Sequence, residues 1–306
     1  MKRNYAVTAV FVAVVLVLIG AMALGFLSGG GSATAQEPPY VLDHFKGYKI
    51  KTDTNQPPAA NPFVVLQDQF DRRLQKWELK KVGTADMFFN PVEKTVVTAS
   101  GTEINTPIKD ERNHLTRFPI ASIADMPAET TRWNVQVQNQ FGKMQKLLVG
   151  PATYILVPTE KNPVAGQSDN FPDNLDHFKW YPAIRGKPVN IKVTLDDQWG
   201  TWEDVMVLTP VAFANPVRKI HLLSSAAAGG DINISEIQHP EAHLVAYKLE
   251  GPQSSSDPIT AIINNQFVQT QNIAVLEGNL LLVPSAKRAF APIRTPLRPP
   301  NIPPTD

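Results

Sequence analysis

Polar and apolar residues alternate along much of the chain. In the run Trp133 to Phe141, the apolar residues Trp133, Val135, Val137 and Phe141 share one parity, and Ile191, Val193, Leu195 and Trp199 repeat it. A period of two places one face of a strand in a core and the other toward water. Shorter runs, Thr153 to Val157 and Leu280 to Val283, are β-branched or aliphatic and stop at proline, as closing strands do. The pattern predicts an all-β protein. Helix is expected only as a minor feature around Asp71 to Lys81.

The strands belong to a repeat. Leu42-Asp43-His44-Phe45-Lys46-Gly47-Tyr48 recurs as Leu175-Asp176-His177-Phe178-Lys179-Trp180-Tyr181. Strand-like runs ending in Asp68-Gln69-Phe70 and Asp197-Gln198-Trp199 follow, and each copy closes on Asn-Pro-Val-x-Lys, at Asn90 to Lys94 and Asn215 to Lys219. A second version runs from His114 through Asn139-Gln140-Phe141 to Val157-Pro158-Thr159-Glu160-Lys161. Its partner runs from His243 through Asn265-Gln266-Phe267 to Val283-Pro284-Ser285-Ala286-Lys287. From Gln to Pro the last three copies span 18 positions and the first spans 22.

Each unit reads as about four short strands. A lone unit of roughly 45 residues buries too little to be stable, so two units are expected to share a core. The expected architecture is two tandem β-sandwich or barrel-like domains in A-B-A-B order, at 40–161 and 175–290, joined by a linker at 162–174. Ser224 to Asp231 reads as a long loop. The proline-rich stretch 291–306 reads as an extended, disordered tail.

The N-terminus has its own pattern. Lys2 and Arg3 precede an apolar run from Tyr5 to Leu27, and small residues end at Ala33-Thr34-Ala35. A basic start, apolar middle and small residues at −3 and −1 make residues 1–35 a secretory signal. The run is also long enough, at about 35 Å of helix, to span a bilayer as a retained anchor. Both readings export the rest of the chain, so the expected location is secreted, periplasmic or cell-surface.

Composition narrows the classes. Hydrophobic content of 43% and charged content of 19% suit a chain that buries a core. Net charge is +1, which gives nucleic acid nothing to bind electrostatically. There is no cysteine, which excludes a lipidated N-terminus, a thiol nucleophile and any disulfide.

Leu-Asp-His-Phe-Lys-x-Tyr followed by Asp-Gln-Phe and Asn-Pro-Val-x-Lys resembles an uncharacterised repeat domain of secreted bacterial proteins. The resemblance covers roughly residues 42–94, 114–161, 175–219 and 243–288. It implies cysteine after the Lys of the opening motif and again just before the closing Asn-Pro or Val-Pro. Here the opening positions hold Gly47, Arg117, Trp180 and Ala246, and the closing ones hold Phe89, Leu156, Ala214 and Leu282. If the family's cysteines bond to each other, these residues face one another in pairs. Three pairs match small to large, as a close-packed core requires.

The histidines His44, His114, His177 and His243 are the obvious ligand candidates, but they sit in separate copies and are expected to brace their own turns or strands. Gln69, Gln140, Gln198 and Gln266 read as side chains pairing with backbone. Lys94, Lys161, Lys219 and Lys287 read as solvated strand ends. Asp169, Asp173 and Asp176 offer hard oxygens for Ca²⁺, though turns favour the same residues. His221 near Ser224 and Ser225 lacks an orienting acid, and the chain has no nucleophile elbow, zinc-protease or phosphate-loop motif. The expectation is a non-enzymatic structural or interaction module without cofactor, its partners being envelope or extracellular proteins or glycans. The alternative is a carbohydrate- or ligand-binding β module using Trp77, Trp202 or Tyr154, or a hydrolase of unrecognised site.

Overall fold

The computed structural model describes residues 42–53, 63–97, 100–123, 129–162, 171–222, 232–251 and 259–293. The expected leader or anchor, the loop at 224–231, residues 163–170 of the linker and the tail beyond 293 lie outside them.

The described chain is almost wholly antiparallel strand. The first unit holds β1 (His44–Thr52), β2 (Phe63–Asp68), β3 (Glu78–Val82) and β4 (Met87–Val97), followed by a short β5 (Glu103–Thr106). The second holds β6 (His114–Ser122), β7 (Arg132–Asn139), β8 (Gly142–Val149) and β9 (Tyr154–Lys161). The third holds β10 (Phe178–Arg185), β11 (Ile191–Asp197) and the long β12 (Gly200–Leu222), followed by β13 (Ile232–Ser235). The fourth holds β14 (His243–Glu250), β15 (Ile259–Asn265) and the long β16 (Val268–Ile293). In the last two units one strand serves as both the hairpin's second arm and the closing strand.

Each unit's opening strand pairs with its own closing strand, and each closing strand pairs with the next unit's opening strand. The order β1-β4-β6-β9-β10-β12-β14-β16 returns to β1 and closes a ring of eight antiparallel strands. The double units 40–161 and 175–290 share this ring through the β9–β10 and β16–β1 pairings. An eight-stranded barrel is just wide enough for side chains to fill it. The filling here comes from all four units: Phe45, Leu115, Phe178 and Leu244 from the opening strands, Phe89, Leu156, Ala214 and Leu282 from the closing ones.

The hairpins lock the ring from outside. The β2–β3 hairpin of the first unit pairs with the far end of β12, in the third, and with the end of β6, in the second. The same rule holds around the ring: β7–β8 joins β16 and β10, β11–β12 joins β4 and β14, and β15–β16 joins β9 and β1. The repeated prolines sit where a closing strand changes partner. Along one edge, β4 leaves β6 at Phe89 and takes up β11 at Glu93, with Pro91 between. Proline lacks the N–H that either partner would need there, so the gap suits it. Pro158, Pro216 and Pro284 occupy the same gap in the other units. A larger apolar core, including Trp133, Tyr181, Phe213, Phe88 and Tyr247, lies on the other face of the ring strands.

The expected helix at Asp71 to Lys81 is one helical turn and a short connection that run into a strand. Only Gln69–Arg73 is helical, capped by Asp68, whose carboxylate accepts from the Phe70 and Asp71 N–H groups. One turn gains too few hydrogen bonds to propagate, and Glu78–Val82 pairs with β2 instead.

Candidate functional site

Repeated histidines, glutamines and lysines from different copies meet at the unit boundaries. Gln266, on the fourth unit's hairpin, accepts from Lys219 Nζ and turns its amide nitrogen to His177 Nε2, both in the third unit. Because Lys219 takes the amide oxygen, the amide N–H faces the imidazole, which must accept and is therefore neutral. Equivalent contacts join Gln140 to His44, Gln198 to Lys161 and Gln69 to Lys287. The aromatic after each glutamine lies under the same lysine: Phe141 at 5.5 Å from Lys94, Trp199 at 5.2 Å from Lys161, Phe267 at 5.7 Å from Lys219 and Phe70 at 5.5 Å from Lys287. His44 and His177 thus contact neighbouring units across 96 and 89 residues of sequence, whereas His114 and His243 lie against the rings of Phe88 and Phe213. They do not converge on one centre.

The lysines are not the solvated strand ends the sequence suggests. Lys94 and Lys219 are buried and the other two half-buried. Burial lowers Lys94, Lys161 and Lys287 to about 8 and Lys219 to about 7. Lys161 and Lys287 also reach the closing asparagines Asn90 and Asn215, at 3.4 and 3.0 Å. Burial with the nearby lysine charge pushes His44 down to about 3 and His243 to about 2, and holds His114 and His177 well below the ordinary value.

Charges inaccessible to a period-two reading lie beneath this layer. Lys179, wholly buried, contacts Asp71 at 2.7 Å and Glu78 at 2.5 Å. Although burial opposes its charge, the Asp71, Asp68 and Glu78 carboxylates hold its pKa above the ordinary value. The Asp71, Glu78 and Glu129 carboxylates cluster within 4.8 Å, a spacing that suits a cation, but Lys179 and Lys76 already supply the positive charge. Lys46 and Lys179 recur at one motif position, and that recurrence is the signal that could have marked them as more than surface residues. Asp68 accepts from Tyr181 Oη at 2.7 Å and Asn215 at 2.9 Å, and its counterpart Asp197 accepts from Tyr48 Oη at 2.6 Å.

Of the calcium candidates, Asp176 has structural partners. Asp176 accepts from the Gln238 and His239 N–H groups, as its counterpart Asp43 accepts from those of Lys109 and Asp110, so both pin the loop leading to the next unit. Asp173 is exposed and Asp169 lies outside the described residues.

Inside the barrel, Gly47 lies directly opposite Phe89, Arg117 opposite Leu156, Trp180 opposite Ala214 and Ala246 opposite Leu282. A Cβ on Gly47 would stand 2.5 Å from Phe89 Cε1, so the ring occupies the space a larger residue would take. Arg117 instead turns to the barrel end, its guanidinium 4.0 Å from the Tyr154 ring and paired with Asp86 at 2.8 and 2.9 Å.

That end opens into a cavity of about 700 Å³ lined by Met87, Trp180, Val211 and Leu280 below and by Lys49, Lys51, Asp86, Arg117 and Lys248 around its rim. No histidine and only one acid line it. The aromatics considered for glycan binding form no exposed row: Trp202 is buried, and Trp77 and Tyr154 are half-buried under Arg218 and Arg117.

No curated protein and no solved structure matches the chain. Residues 114–275, more than half of its length, match a family described as a repeat of unknown function (DUF7450). The matched stretch starts at the first residue of β6 and ends within β16, so it takes in the second and third units and part of the fourth. The chain belongs to this repeat family of unknown function.

Proposed function

We propose that this chain is an exported, non-enzymatic interaction module whose four repeats serve to build one ring. The observation that carries the reading is the fate of the repeated polar residues. His, Gln and Lys of the copies contact one another at unit boundaries, and none of them lines the open cavity. A repeat whose shared chemistry is engaged in assembly has its unit-specific surface left for partners. Export is supported by Lys2, Arg3 and the apolar run to Leu27. Apolar packing inside the barrel stands where the resemblance puts cysteine, and the opposed small and large residues support that substitution.

The test is localisation of the full chain against a form lacking residues 1–35. Full-length protein outside the cytoplasm and the shortened form inside it are the expected pair. Full-length protein retained in the cytoplasm overturns the reading. N-terminal sequencing of the exported form separates a cleaved signal from an anchor.

A further inference from the structure

We infer that the open end of the barrel binds a small amphipathic anion, with an apolar body and one carboxylate, sulfonate or phosphate head. The inference concerns the cavity alone and does not depend on where the chain resides.

Its floor is apolar. Met87, Trp180 and Leu280 are nearly inaccessible to water except through the mouth, and the barrel below them is closed by Phe89 against Gly47, so a ligand stops at this level. The rim is cationic. Lys49, Lys51 and Lys248 are exposed along the mouth, and the one acid there, Asp86, is already held by both arms of Arg117. Lys49 has a partner in Glu277 at 3.7 Å, but both are exposed and such a pair holds weakly. An apolar floor with convergent like charges at one side is the arrangement that orients an amphiphile.

The repeat itself argues that this end is the specific one. At the opposite end all four units carry the same His and Lys. Here the corresponding closing positions are Met87, Tyr154, Ala212 and Leu280, and the facing ones are Lys49, Pro119, Pro182 and Lys248. The lysines therefore come from the adjoining first and fourth units, and a ligand sees one charged side. The volume of about 700 Å³ exceeds what a ten-carbon acid needs and lies within the range of small-molecule sites.

The experiment titrates the full chain with decanoate, decyl maltoside and decyltrimethylammonium below their micelle concentrations, by calorimetry and by the methyl resonance of Met87. The wild type is expected to bind decanoate saturably and at least tenfold more tightly than the other two, with the Met87 methyl shifting. The variant Lys49→Glu/Lys51→Glu/Lys248→Glu, altered only at exposed positions, should lose decanoate affinity at least tenfold and keep its melting temperature. Any binding by residues 1–35 is common to both proteins, so the difference reports the mouth. Vesicles of phosphatidylglycerol should not compete for the Met87 shift; competition would make the ligand a membrane lipid and overturn the free-anion form. Absence of saturable decanoate binding, equal binding of the cationic amphiphile, or an unchanged triple variant would each overturn the proposal.

Discussion

Mild acid should unfold this ring through its four repeat histidines. In the folded chain all four are buried beside lysines and stay neutral far below the ordinary value of 6.5, His44 to about 3 and His243 to about 2. Unfolded, each takes up a proton near pH 6.5. A group with a depressed folded pKa contributes stability that is present above its unfolded pKa and lost as pH falls toward the folded one. Between pH 6.5 and 5.0 each histidine that stays neutral costs roughly 1–2 kcal/mol, and the set together several kcal/mol. Asp71 works the other way: burial, against the Lys179 charge, raises its carboxyl and offsets part of the loss over the same window. The lysines lowered to 7–8 are charged in both states below pH 6.5 and add little there.

The net is a loss of a few kcal/mol across 1.5 pH units, a large part of a typical folding free energy. It corresponds to uptake of about three protons on unfolding near pH 5. Asp43, Glu129 and Asp197 are also raised by burial and act in the direction of Asp71, so three is an upper value. Urea unfolding at pH 5.0, 5.5, 6.0 and 6.5 measures the slope. The variant His243→Leu gives the internal control, because neither ring nitrogen of His243 has a hydrogen-bond partner. It should reduce the uptake by one proton and gain roughly 1–2 kcal/mol on the wild type between pH 6.5 and 5.0. A flat stability profile over this range, or a His243→Leu slope equal to the wild type's, would refute the reasoning.

Three further outcomes follow from the same contacts. Gly47→Ala places a methyl 2.5 Å from the buried Phe89 ring and 3.2 Å from Leu280 Cβ, and should cost about 1–3 kcal/mol by thermal or urea unfolding. Ala246→Cys with Leu282→Cys puts thiols at opposed antiparallel positions, whose Cα atoms stand about 4.5–5.5 Å apart, within disulfide reach. Oxidation should abolish thiol labelling, and reduction should then lower the melting temperature. Lys219→Met should stabilise the protein at pH 7 by at least about 1 kcal/mol, because burial lowers the lysine to about 7 while the unfolded chain holds its proton to about 10.5. As pH rises from 7 to 10.5 the wild type regains that stability and the gap closes; a gap constant with pH would exclude the buried charge as its cause.

Local pattern revealed much of this architecture and none of its closure. The alternation in Trp133 to Val137 marked a strand with one buried face, and all three apolar residues are fully buried. The repeat marked His, Gln and Lys as one set because they recur in register. Which strands pair is a different matter, since period two reports a face and not a neighbour. Tyr181 reaches Asp68 across 113 residues, and no window of sequence contains that contact. The ring strands are also covered on both faces, so Phe45-Lys46-Gly47-Tyr48 is buried at every position. Under those conditions a lysine on the alternate face reads as solvent-exposed when it is enclosed, which is why Lys46, Lys179 and the closing lysines were legible as motif residues but not as buried charges.

The way the units interlock explains why the repeat comes in fours. A hairpin pairs with the closing strand two units on and the opening strand one unit on, while its glutamine meets the histidine and lysine of the unit before. Every unit therefore touches all three others. Two copies could supply an opening and a closing strand but no unit two steps away, so their hairpins would lack one strand partner and their edges would stay open. Only at four does the step of two return the same relation in both directions, as it does between the Asp68–Tyr181 and Asp197–Tyr48 pairs that tie the first and third units to each other. The buried lysines lowered by that enclosure are then a consequence of closing the ring, since each sits between units that are far apart in sequence but adjacent in the barrel.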